Sequence, residues 1–151
     1  MTGAISDLDV HLGYWLRLVS NHVSQAFAGK LQGRGVTVAE WVALRLLFGE
    51  GGAAPSLLAE RTGMTRGAIT KLADRLIERA LVERRADPRD GRAQILALTA
   101  RGRALVPALA ALADANDAEF FHTLTAQERR QLRRLLGRLV EQNKLRIVPI
   151  D

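Results

Sequence analysis

Residues 55 to 99, PSLLAERTGMTRGAITKLADRLIERALVERRADPRDGRAQILALT, decide how this chain folds. The stretch reads as two short helices, a strand, a charged hairpin tip and a second strand. Ala59, Gly63 and Ile69 carry the spacing that two helices joined by a tight turn impose. Ala59 is small where the second helix crosses closest. Gly63 falls where the first helix stops, a place for a left-handed residue without a β-carbon. Ile69, Leu72 and Leu76 give the second helix an apolar stripe that packs on the first. Thr65 is placed to cap this second helix, and Ser56 to cap the first. Away from the stripe point Arg66, Gly67, Thr70, Lys71 and Asp74, a basic face of short side chains suited to a groove wall.

Working downstream, residues 81–85 and 94–98 read as paired strands. Between them lies Ala86-Asp87-Pro88-Arg89-Asp90-Gly91-Arg92-Ala93, whose Pro and Gly supply turn geometry. A hairpin tipped with two arginines directly after a helix-turn-helix describes a winged helix. The wing also carries a motif. Asp87-Pro88-Arg89-Asp90-Gly91-Arg92, followed by the apolar strand Ile95-Leu96-Ala97-Leu98-Thr99, resembles the wing of MarR-family transcription regulators (multiple antibiotic resistance regulators). The resemblance extends through the flanks in length and helix order. Many family members carry a basic residue where this chain has Gly91, and Arg89 is near enough to substitute.

Composition is consistent with a DNA-binding role. The net charge is +6, and between Arg61 and Arg103 there are 11 basic and 5 acidic residues, a difference equal to the charge of the whole chain. Charge gathered on the helix-turn-helix and wing segment argues for a polyanion partner, whereas a generally basic surface would spread it evenly. Cysteines are absent, which excludes disulfides, thiolate metal sites and a thiol redox switch. No signal peptide or bilayer-length apolar run is present, so a cytoplasmic protein is expected.

The flanks read as helices. Ser6 and Asp9 suggest a start for helix one, with Leu8, Leu12, Trp15, Val19, Val23 and Phe27 on one face. Thr37 with Glu40, and Thr125 with Glu128, form capping boxes for helices two and six, and Thr99 caps helix five. Pro107 threatens a kink in helix five. Leu132, Leu135, Leu136, Leu139 and Val140 stripe helix six, with Arg129, Arg130, Arg133, Arg134 and Arg138 on its other faces.

The expected architecture is therefore mostly α with a small β-hairpin wing. Residues 1–151 form a single MarR-like unit, with a winged helix-turn-helix DNA-binding lobe over 37–99. Residues 1–36 and 100–151 form a helical dimerisation lobe, because the outer leucines are too many to hide against so small a neighbour. Thr65, Arg66, Gly67, Thr70 and Lys71 would face a major groove, and Arg89 and Arg92 a minor groove with its flanking phosphates. An ordinary solvated helix face is the alternative for Arg66 and Lys71. Asp87 is expected to hold the wing by bonding its backbone or by pairing with Arg92. Of Arg84 and Arg85, at most one is expected to reach phosphate, because one of two successive strand residues must turn inward or sideways.

The resemblance further implies a homodimer on a pseudo-palindromic site and repression relieved by a small, often aromatic, anion. His11, Trp15, Trp41 and Arg45 are candidate lining residues for that ligand, although both tryptophans fit equally well in the core. No cofactor or metal is expected. His11 and His22 share a helix face but stand about 16 Å apart along the axis. No catalytic triad, phosphate-cradling glycine loop or HExxH is present, so an enzyme is not expected. A winged helix serving RNA or protein contact is the remaining alternative.

Overall fold

The computed structural model describes residues 3–151. After a single 3-10 turn at Leu8–Val10, the chain runs α1 (Leu12–Gln32), α2 (Val38–Glu50), α3 (Pro55–Thr62) and α4 (Arg66–Glu78). Strands β1 (Val82–Ala86) and β2 (Gln94–Leu98) follow, then α5 (Ala100–Phe120) and α6 (Ala126–Gln142). The strands pair antiparallel with Val82 opposite Leu98 and Ala86 opposite Gln94. Ala53 adds one bridge on the outer edge of β2, exchanging two 2.8 Å backbone bonds with Leu96. That bridge ties the loop before α3 to the wing. None of these helices is long and apolar enough to cross a membrane.

Local chemistry explains most boundaries. The Thr37–Glu40 and Thr125–Glu128 boxes are both closed, and the hydroxyls of Thr65 and Thr99 accept from the amides of Ala68 and Gly102. The backbone amide and then the hydroxyl of Thr125 hold the Glu128 carboxyl below its ordinary range. This cap's contribution is present above the ordinary carboxylate pKa and is lost as pH falls through the lowered value. Gly63 ends α3 at φ +72°, the left-handed conformation its position demands.

Two starts differ from expectation. The expected Ser56 cap is not made, because Pro55 opens α3 and leaves Ala54 in the capping position. Ser6 and Asp9 do not start α1 either. The helix begins at Leu12 after His11, and Leu8 is outside it and 73% exposed, so no packing draws the earlier residues into helix. Pro107 does not break α5, which continues through it with the ring on the exposed side.

Ile69, Leu72, Ala73 and Leu76 of α4 are buried against Leu44, Leu47 and Leu58 from α2 and α3. The same core takes in Leu31 of α1 with Val106 and Leu109 of α5. Residues 37–99 therefore do not close a core alone, because the ends of α1 and α5 complete it. Asn116, buried on α5, donates to the Val23 carbonyl at 3.2 Å and accepts from Lys30 at 3.1 Å, clamping α5 to α1. Glu40 is also buried and meets Arg79 at 3.3 Å, while that guanidinium donates to the Gly35 carbonyl at 2.8 Å.

The wing joins α5 at a tight approach. Gly102 lies against the Leu81 carbonyl so closely that a β-carbon there would overlap the oxygen. Gly102→Ala should destabilise the fold by ~3 kcal/mol, the upper end for overpacking. Urea denaturation will check this, with Gly137→Ala as a control because a β-carbon there meets nothing within 4 Å.

Candidate nucleic-acid interface

The side chains that α4 does not bury form one continuous outer face. Thr65, Arg66, Gly67, Thr70, Lys71 and Asp74 are all exposed. Arg66 and Thr70 stand one helical turn apart, as do Gly67 and Lys71. The Thr70 hydroxyl is turned back onto the Arg66 carbonyl at 3.0 Å. No neighbour comes within 4 Å of a β-carbon built on Gly67, which leaves that part of the face low and open. Arg66 opens the helix, where the dipole disfavours a cation by roughly 0.3–1 kcal/mol.

The wing tip is built by its acids. Asp87 accepts from the Arg89 amide at 2.9 Å, and Asp90 accepts from the Arg92 amide at 3.1 Å. Backbone bonds from Asp87 to Ala93 (2.9 Å) and from Ala93 to Asp90 (3.0 Å) close the turn. Both carboxylates are thus spent on backbone, and the Arg89 and Arg92 side chains are left exposed. Of the two roles expected for Asp87, the backbone bond is the one present. Among the described residues, Arg66, Lys71, Arg89 and Arg92 make no ion pair with a carboxylate.

The neighbouring arginines are neutralised instead. Arg84 bonds Asp74 at 2.9 Å, joining β1 to α4, and Arg85 bonds Glu83 at 2.6 Å. Both side chains are exposed, and Arg84 turns sideways onto α4, one of the two orientations expected. The pairing of Asp74 with Arg84 has no local signature in the sequence. Arg129, Arg130, Arg133, Arg134 and Arg138 form an exposed face on α6.

The candidate ligand residues are not brought together in the protomer. Trp41 lines a cavity of about 410 Å³ with Ser20, Ser24, Phe27, Val38 and Val42. Its remaining wall is Val148, Pro149 and Asp151. Trp41 meets Phe27 edge to face, ring centres 6.3 Å apart. His11, Trp15 and Arg45 are not part of that lining. Trp15 instead donates to the Asp9 carbonyl at 2.7 Å, and Arg45 lies over the Phe48 ring at 5.8 Å. The cavity therefore has no cation of its own for an aromatic acid. Among the described residues no cluster of His, Asp and Glu could hold a metal ion.

A helix-turn-helix with an arginine-tipped wing, carried between long flanking helices, defines a winged helix-turn-helix protein of the transcription-regulator type. The chain belongs to the MarR family. That family's sequence model matches residues 34–93. The HTH-type transcriptional repressor Rv2887 of Mycobacterium tuberculosis (strain ATCC 25618 / H37Rv) is 34% identical over 131 residues, 87% of this chain and 94% of that protein. A probable transcriptional regulator from Pseudomonas aeruginosa superposes with a TM-score of 0.75 at 34% identity, over 88% of this chain and 99% of that one. Rv2887 in complex with DNA superposes at 0.74 and 31% identity, over 85% and 97% of the two chains. The same protein in complex with p-aminosalicylic acid gives 0.70 and 32%, over 85% and 98%.

The cap on the reading helix can be tested alone. Thr65→Ala should cost about 1 kcal/mol by loss of the bond to the Ala68 amide. Chemical denaturation gives the value.

Proposed function

We propose that this chain is a sequence-specific double-stranded DNA-binding repressor, acting as a homodimer on a pseudo-palindromic operator and released by a small aromatic ligand. The carrying observation is the set of exposed cations without carboxylate partners, Arg66 and Lys71 on α4 and Arg89 and Arg92 on the wing. Arg66 suits a bidentate bond to guanine, Thr65 and Thr70 suit contact with a thymine methyl, and Gly67 lets the helix approach the base edges. Arg89 and Arg92 suit the narrow minor groove and flanking phosphates. That a relative has been solved with DNA, and also with an aromatic ligand, supports the same reading.

Dimerisation is argued from what the protomer leaves uncovered. Trp15, Leu135, Leu136, Leu139 and Val140 are 48, 42, 39, 50 and 44% exposed, and α6 buries no residue fully. Aligned apolar side chains on long helices at that exposure require a second copy to cover them. The division of labour follows: 37–99 reads DNA, and 1–36 with 100–151 joins the protomers.

Two experiments test this. Binding to labelled duplex from the gene's own upstream region should weaken linearly in log salt, one phosphate contact contributing about 0.9 to the slope. Arg66→Ala should then lose discrimination at one base position, by ~1–3 kcal/mol. Equal weakening on every sequence would make Arg66 a phosphate clamp, and tighter binding to RNA or to no nucleic acid would refute the reading. Separately, Leu135→Asp with Leu139→Asp should convert a dimer to a monomer in analytical ultracentrifugation and abolish operator binding. A wild-type chain that sediments as a monomer would refute the dimer.

A further inference from the structure

The segment after α6 is joined to the DNA-reading unit at a chemically specific point. The last carbonyls of an α-helix have no amide of their own helix to meet. At the end of α3, Gly63 supplies an amide to Ala59 at 2.9 Å, and the Arg61 carbonyl accepts from the Val148 amide at 2.9 Å. Beside that bond Ile147 touches Gly63, its Cγ2 lying 3.4 Å from where a β-carbon would stand. A hydrogen bond and an apolar contact are what a helix C-terminus needs to stay closed, and here a distant segment provides both.

The same segment reaches the cavity at Trp41. Lys144 takes a left-handed turn (φ +53°) and Leu145 bonds back to the Val140 carbonyl at 3.0 Å, which ends α6 and redirects the chain. Val148, Pro149 and Asp151 then form one wall of the cavity. At about 410 Å³ the space falls in the range of small-molecule sites. Trp41 and Phe27 offer ring surfaces, Ser20 and Ser24 offer hydroxyls, and the lining's charged side chain is the carboxylate of Asp151. Without a lining cation, an anion would lose its hydration and gain no counter-charge. Leu145 and Ile147 remain 59% and 60% exposed, and Val148 is half-buried, so Val148 carries most of the segment's attachment.

We propose that Leu145–Asp151 is a strap that closes this cavity over a small uncharged aromatic molecule and, through Val148 and Ile147, holds the α3–α4 turn. The cavity and the recognition helix are then one coupled unit, and filling the first stiffens the approach to the second. Only the consequence for DNA rests on the function proposed above.

The test uses the full chain, a truncation ending at Lys144, and Val148→Pro, which removes the donor amide. Hydrogen–deuterium exchange is read at residues 61–65, with Val82–Leu98 as the folding control. Both variants should exchange at least tenfold faster over 61–65 with the control strands unchanged. In calorimetry, indole should bind the full chain saturably and the truncation at least tenfold more weakly, and benzoate should bind the full chain at least tenfold more weakly than indole. Unchanged exchange over 61–65 in the truncation overturns the strap. Equal binding of benzoate and indole, or no binding of indole, overturns the ligand assignment. A full chain that shows the exchange and calorimetric results but binds no operator refutes the DNA reading and leaves the strap standing.

Discussion

The burial of one stripe on α4 governs everything else. Ile69, Leu72, Ala73 and Leu76 are almost fully covered, each large side chain stabilising the fold by about 1.5–3 kcal/mol. Rotating the helix about its axis would expose them, so the rotation is set by apolar packing alone. Arg66, Gly67, Thr70 and Lys71 are then held outward as a consequence. Like charges on one face repel one another, so that face does not arrange itself, and here the core arranges it.

Acidic side chains complete the pattern by selective neutralisation. Asp74 and Glu83 take Arg84 and Arg85, and Glu40 takes Arg79. Asp87 and Asp90 are spent on the amides of the wing turn. Exposed pairs such as Arg84–Asp74 contribute little stability, ~1 kcal/mol at most. Their effect is to leave positive potential at the start of α4 and at the wing tip, while fixing the wing against the helix.

The outer helices do two jobs at different ends. Leu31, Val106 and Leu109 finish the core shared with residues 37–99, and Asn116 with Lys30 locks α5 to α1. Beyond that zone much of the apolar stripes of α1 and α6 stays exposed, Trp15 at 48% and Leu139 at 50%. One continuous core thus joins the winged lobe to the long flanking helices.

The helix order, the wing and the capping threonines were legible because each is a local pattern of period or spacing. Thr37, Thr65, Thr99 and Thr125 each bond the amide that their position implies. Local patterns mislead where two compete, as when Pro55 outranks Ser56, or where no burial supports them, as at Ser6. The helical periods, the turn at Gly63, the wing motif and the gathering of positive charge are written in the order of residues, since each depends on positions a few apart. Only the tertiary structure decided which charges meet, that Ala53 joins the wing, that Trp41 parts company with His11, Trp15 and Arg45, and that Val148 reaches Arg61. Those contacts depend on how distant elements dock, and no periodicity encodes the distance between residues that the chain brings together only when it closes.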